Sequence, residues 1–405
     1  MHHAVSQRSE PKLTKSGNIK NILKKNSMLI ALLSTMLLFQ ILISSRGIGS
    51  LFAPANISNL ISQNAYVVIL ASGMLLCILT GGNIDLSVGS IVALVGAVAG
   101  TLIVNLHMNI FVSIIICLLV GLAIGAWQGF WIAYVRIPPF IVTLAGMLLW
   151  RGVALLILNG LTISPFPANY QKYFTSFLPA NASSEIVFTV TLIVGILICL
   201  VYLVYTFFDR YKKTKKGYTV ESLPSVIIRL IMICGAALFV FSLLGRHKGI
   251  PVVLILLAAI VLFYSYFTSK TVPGRHLYSL GGNEKATKLS GINTNRVLFF
   301  AYANMGFLSA VAALVCVARF NSATPSAGDS YELDAIGSCF IGGASAYGGT
   351  GTIGGAVIGA IFMGVMNNGM SILGIDSNWQ KAVKGTVLLA AVVFDVLSKK
   401  RVKAN

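Results

Sequence analysis

Residues 80–89 read T-G-G-N-I-D-L-S-V-G and lie between two long apolar runs. The stretch sets a carboxylate, Asp85, and an amide, Asn83, beside the pair Gly81-Gly82, where the chain ought to be crossing lipid. An ionisable residue at membrane depth is expensive and marks a functional site by default. Paired glycines let the backbone leave the helix. Irregular backbone at that depth persists only where it is buried in protein or lines a water-filled cavity. The reading is a pathway through the bilayer rather than an anchor, with Asn83, Asp85 and Ser87 as candidate lining residues.

The rest of the chain fits that reading. Of its 405 residues 56% are hydrophobic and 10% are charged, whereas a soluble domain carries about 25% charged residues. Mean hydropathy is +0.85, and apolar runs of roughly 20 residues recur along the chain. A net charge of +19 raises the question of nucleic acid. The basic residues, however, fall in short segments between apolar runs and form no single soluble face, so the partner they imply is the lipid bilayer. The six cysteines lie inside apolar runs as packing residues and the five histidines are scattered, so no metal spacing arises. The first apolar run starts near Ser27 and fits a span better than a signal core.

The apolar runs predict an all-α polytopic membrane protein with about twelve spanning segments. They fall at 27–45, 65–81, 85–105, 109–135, 137–159, 186–208, 226–245, 250–268, 296–318, 333–347, 351–373 and 379–397. Each except the Gly-rich 333–347 can cover about 30 Å as a helix; 333–347 reads as a half-helix. With the N-terminus inside, the cytoplasmic segments 1–26, 136, 209–225, 269–296 and 398–405 hold 21 of the 30 Lys and Arg residues. The positive-inside rule therefore places both termini in the cytoplasm. The organisation expected is a tail over 1–26, a transmembrane domain over 27–397 and a tail over 398–405. The basic loop 209–225 reads first as a topology anchor and second as a contact for anionic lipid.

Gly81-Gly82 and Gly342-Gly343 each open a helix with small residues at intervals of three to four. Broken helices at corresponding positions of two repeats are a transporter feature, and small residues let helices approach closely. No nucleophile elbow, HExxH or phosphate loop occurs. G-G-T-G-T-I-G-G at 348–355 lacks the preceding strand of a dinucleotide site. The chain is therefore expected to be no enzyme and to bind no cofactor itself.

The loop 269–296 is the second informative segment. Pro273-Gly274 breaks the preceding helix. Asn283 caps a short helix, Glu284 suits its first turn, and Gly291 after Ser290 stops it. About two turns, 284–290, are predicted outside the membrane, a lever for a cytoplasmic partner. Candidate coupling residues are Gly282, Asn283, Glu284, Ala286, Leu289, Ser290 and Gly291. Glu332 and Asp334 fall where the chain re-enters from outside and are candidate outer-entrance residues. Asn304, Asn367 and Asn368 lie in spans and join Asn83, Asp85 and Ser87 as candidates for the cavity. Arg151 lies in a span and needs a partner or a wet face. Trp127, Trp131, Trp150 and Trp379 read as interfacial or packing residues.

The stretch G-R-H-L-Y-S-L-G-G-N-E-K-A-T-K-L-S-G-I (274–292) resembles the cytoplasmic loop of ribose-, galactose- and xylose-type ABC transporter permeases. Y-E-L-D-A-I (331–336), G-G-T-G-T-I-G-G (348–355), N-N-G (367–369), W-Q-K-A-V-K-G (379–385) and T-G-G-N-I-D-L-S-V-G resemble further motifs of that family, in order over 65–397. Asn83 departs from its usual G-G-I-D-L-S. The extra stretch 209–268, with its basic loop and two spans, resembles the longer xylose-type or multiple-monosaccharide permeases. The resemblance implies a type II importer fold in the bacterial cytoplasmic (inner) membrane. It also implies a homodimer, cytoplasmic ATP-binding subunits that hold ATP-Mg, an extracytoplasmic sugar-binding protein and a monosaccharide substrate. In that picture 284–290 is the coupling helix. The alternative is an ion-coupled secondary sugar transporter, which usually needs several intramembrane carboxylates; Asp85 is nearly alone.

Overall fold

Lipid offers no partner for backbone N–H and C=O groups, so each long apolar run must pair them within itself as a helix. The structure, a computed structural model, describes residues 27–218, 220 and 223–403. The tail 1–26 and the last two residues of 398–405 lie outside the described residues. In chain order the helices are α1 (Ser27–Ser45), α2 (Pro54–Gln63), α3 (Ala65–Leu79) and α4 (Val88–Gly100), which continues as a π-helical turn, Thr101–Asn105. Then come α5 (Ile110–Ala133), α6 (Pro139–Leu158), α7 (Ala168–Thr175), α8 (Ser184–Lys215), α9 (Leu223–Gly245) and α10 (Val252–Lys270). The last are α11 (Val272–Gly282), α12 (Glu284–Leu289), α13 (Thr294–Phe320), α14 (Tyr331–Ile341), α15 (Ile353–Ile372) and α16 (Ser377–Lys403). Two-residue strands β1 (Phe177–Leu178) and β2 (Ile250–Pro251) pair antiparallel.

Among the described residues, ten helical stretches have the length and composition to cross a membrane. That is fewer than the apolar runs suggest. The run 333–347 yields only the 11-residue α14. Helix α16 is long enough at 27 residues but carries Lys381, Lys384 and Asp395 among its apolar positions. The span expected from residue 65 starts earlier, because α2 and α3 form one stretch, Pro54–Leu79. Polar residues of α2 hid it in the sequence; Asn56 is satisfied by a reciprocal amide pair with Asn368, both bonds at 3.0 Å.

The core is built from α3, α4, α13, α14 and α15, whose buried residues form one continuous cluster. Helices α5 and α13 run closest together. Gly121 and Gly125 of α5 meet Gly306 of α13 so tightly that a side-chain carbon at any of the three would overlap the facing backbone. Helices α8 and α9 pair with each other at the periphery, and much of their apolar surface is exposed, as lipid-facing residues are. Helix α10, by contrast, packs on α3 and α15.

Candidate functional site

The first glycine break is a re-entrant turn. Helix α3 ends at Leu79, and Gly81 and Gly82 take φ of 133° and 76°, backbone that glycine adopts without steric cost. The chain then doubles back along α3, bringing the Asp85 amide 3.5 Å from the Met74 sulfur, more than a turn behind the helix end. Asp85 is fully buried. Its Oδ1 accepts from the Ser87 backbone N–H at 2.8 Å and the Ser87 hydroxyl at 2.6 Å. This turn delays the start of α4 to Val88, although the apolar run begins at Asp85. Gln128 of α5 donates to the Ser87 hydroxyl at 2.7 Å. Asp85 Oδ2, Gln128 Oε1 and the Trp150 indole N–H have no hydrogen-bond partner among the described residues. Asn83 closes the turn locally, donating to the Thr80 hydroxyl at 3.1 Å.

A second irregular segment enters from the opposite end. After α13 ends, Ala323 pairs with Ile163, both beside Gly100 at the far end of α4. By Gly328 the chain touches Gly89, where a side-chain carbon on either residue would overlap the other's carbonyl oxygen. Eleven helical steps separate Gly100 from Gly89, about 16 Å of descent. Re-entry thus occurs over 321–330, before the expected Glu332. Arg151 of α6 donates to the carbonyls of Pro325 at 3.2 Å and Ala327 at 2.6 Å, satisfying backbone acceptors that lipid leaves bare. Asp329 pairs with Lys381 of α16 at 2.7 Å.

The two acidic residues assigned to the outer entrance differ in surroundings. The Glu332 carboxylate lies against Gly89, at the bottom of the descending segment. Asp334 is fully buried. Lys384 of α16 holds it at 2.9 Å, the Tyr66 hydroxyl donates to it at 2.7 Å and the Asn367 amide at 3.4 Å. Of the remaining cavity candidates, Asn368 faces Asn56 and Asn304 accepts from the Tyr264 hydroxyl. The six are therefore spread along the bundle rather than gathered in one pocket. Sequence reasoning missed Tyr66, Gln128 and Lys384. For Lys384 a signal existed: one lysine in one apolar run and one aspartate in another imply a pair.

At the opposite end from Ile163 and Ala323, the two glycine breaks join. Helix α14 ends before Gly342-Gly343, and in the following loop Gly348 packs on Gly81. The Gly349 amide donates to the Leu79 carbonyl at 3.1 Å. Gly281, in the last turn of α11, presses on both groups, so that a side-chain carbon there would overlap each of them. The Tyr278 hydroxyl donates to the Gly351 carbonyl at 2.9 Å. Helix α11 was not expected, because Pro273 read only as a breaker. It sits instead in the first turn, where no N–H is needed, and the Thr271 hydroxyl accepts from Gly274 N at 3.2 Å as the cap. Helix α12 follows as expected: Asn283 Oδ1 accepts from the Ala286 N–H at 3.0 Å, and Gly291 takes a φ of 82° beyond its end. Arg136 pairs with Glu284 at 2.6 Å and donates to Thr294 at 3.3 Å, fixing α12 against the start of α13.

Trp127 packs edge-on against Trp131 and Trp150, with ring centroids 6.2 and 5.4 Å apart, and Trp379 is exposed. No group of three metal-ligating side chains occurs among the described residues. What the arrangement offers is hydrogen-bonding groups along irregular backbone inside a helical bundle.

That combination defines a multi-pass membrane protein built for passage of solute rather than for catalysis. Residues 56–392 match the family described as the permease component of the branched-chain amino acid transport system, and the chain belongs to that family. It is 36% identical over 324 residues to the xylose transport system permease protein of Escherichia coli, covering 80% of each chain. The xylose transport system permease protein of Haemophilus influenzae is also 36% identical, over 80% of this chain and 84% of that one. The ribose import permease protein of Escherichia coli is 35% identical over 320 residues, 79% of each chain. No solved structure matches.

Proposed function

We propose that the chain is the membrane permease subunit of an ATP-driven monosaccharide importer of the bacterial cytoplasmic membrane. The similarity to xylose and ribose permeases over four-fifths of the chain supports the substrate class. In this reading two copies form a type II importer, with both termini and the loops 209–225 and 269–296 in the cytoplasm, as their lysines and arginines favour. An extracytoplasmic sugar-binding protein delivers the solute, and a separate subunit holds ATP-Mg.

The observation that carries the coupling is the contact of Gly281 with Leu79 and Gly349. Helix α12 is the docking element, with Leu289 of this loop 89% exposed and Ala286 small enough for close approach. Force on α12 passes through α11 into the backbone of both broken helices, since packed backbone cannot yield without moving its neighbours. An ion-coupled carrier usually needs several intramembrane carboxylates; here Asp334 is held by Lys384, and Asp85, bound through one oxygen to Ser87, is left nearly alone.

The test is uptake of labelled xylose, ribose and galactose into proteoliposomes carrying the permease, the ATP-binding subunit and the binding protein. Uptake should require ATP and the binding protein. Uptake that proceeds without ATP and collapses with the proton gradient would replace this reading by the secondary carrier.

A further inference from the structure

We infer that the cavity between the descending segment 321–330, α4 and the last turns of α13 is a monosaccharide site within the permease itself. The inference rests on the reading of the chain as a sugar importer and adds a place where sugar is held after release from the binding protein.

The cavity has a volume of about 260 Å³ and is lined by Val92 of α4, Cys316 and Phe320 of α13, Thr324, Ser326 and Asp329 of the segment, and Tyr331 of α14. Drug-sized ligands take roughly 300–1,000 Å³, so this space suits a single sugar ring. It lies between the levels of Gly100 and Gly89 beside α4 and α13, and it is open where Phe320, Ser326 and Asp329 are exposed; non-helical backbone at membrane depth is tolerated if it lines a wet cavity.

The lining chemistry is that of a neutral polyol. The Thr324 and Ser326 hydroxyls make no hydrogen bond among the described residues and are available to sugar hydroxyls. The Asp329 carboxylate is engaged by Lys381, and Arg151 is engaged by backbone carbonyls. Arg319 lies over the Phe320 ring, 4.9 Å from its centroid, and is a further donor beside the cavity. Phe320 and Tyr331 supply apolar ring surface for the C–H face of a sugar, and the Tyr331 ring is held by stacking on Tyr66 at 3.8 Å. Gly89 and Gly328 close the floor by backbone contact. A solute here rests directly on the junction between α4 and the segment that precedes α14.

Two measurements test this. In a background lacking the native cysteines, Ser326→Cys is labelled with a neutral maleimide without binding protein, in the presence of xylose, ribose or sucrose. Xylose or ribose should slow labelling at least threefold, sucrose should not, and Lys172→Cys should be unaffected. In the reconstituted system, Thr324→Val should raise the KM for uptake at least tenfold, and Thr324→Ser should restore it. If the wild-type system imports sugar but neither protection nor a KM change is seen, this site is wrong and the importer reading stands. If the wild-type system imports neither sugar, both fall together.

Discussion

Lys384 of α16 reaches both carboxylate oxygens of Asp334 on α14, at 2.9 and 3.0 Å, with the aspartate side chain 1% and the lysine side chain 12% exposed. Tyr66 of α3 and Asn367 of α15 complete the set, so one carboxylate ties four helices. An ion pair so buried is weak support for stability by itself, because desolvation offsets its attraction. Its asymmetry is informative, since removing one partner strands the other charge.

Lys384→Met should therefore destabilise the fold by about 3–5 kcal/mol. Combining it with Asp334→Asn should recover most of that loss, because no charge is left unpaired. Tryptophan-fluorescence melting in detergent reads both. Equal melting of the single and double variants would mean that the pair does not tie the helices.

Gly281 and Gly282 form a matched experiment. A side-chain carbon on Gly281 overlaps the Leu79 carbonyl and the Gly349 amide, whereas one on Gly282 meets nothing within 4 Å. Gly281→Ala should lower both melting temperature and transport, and Gly282→Ala should stay near wild type on both. Indistinguishable behaviour of the two would remove the junction from the coupling argument.

Much of this architecture was legible in residues because lipid enforces it. The runs 27–45 and 351–373 became helices within two residues of their expected ends, and Asn283 capped α12 as its position implied. What was not legible depended on tertiary partners. The span beginning at Pro54 was obscured by Asn56, whose amide is satisfied by the Leu51 carbonyl and by Asn368, 312 residues away. Sequence alone did not show that Asp334 would be buried against Lys384, Tyr66 and Asn367, because those partners come from three other helices. Gln128 joined Asp85 and Ser87 through a bond across 41 positions that no local pattern announces.

The orientation has a direct test in the basic loop. Lys213 lies at the end of α8, paired with Asp209 at 2.7 Å. In a cysteine-free background, Lys213→Cys should resist a membrane-impermeant maleimide in intact cells and react quickly once cells are opened. Fast labelling from outside would invert the topology, and with it the cytoplasmic placement of α12.

Coupling through α12 is the sharpest expectation. The helix is six residues long, too short to persist alone, so its geometry depends on its cap and its tether. Asn283→Ala removes the acceptor for the Ala286 N–H and should cost about 0.5–2 kcal/mol of local order. The salt bridge from Arg136 to Glu284 is half exposed and contributes less, so Arg136→Gln should act more mildly. Ala286→Trp leaves the cap and tether intact and puts bulk on the presented face. A docking clash that loses one hot-spot contact costs on the order of 2 kcal/mol, or about thirtyfold in affinity. Co-purification with the ATP-binding subunit and ATP-driven uptake should therefore both fall for Ala286→Trp, while the melting temperature of the isolated permease holds. Should docking and uptake both persist at wild-type levels, the ATP-binding subunit engages some other part of the chain.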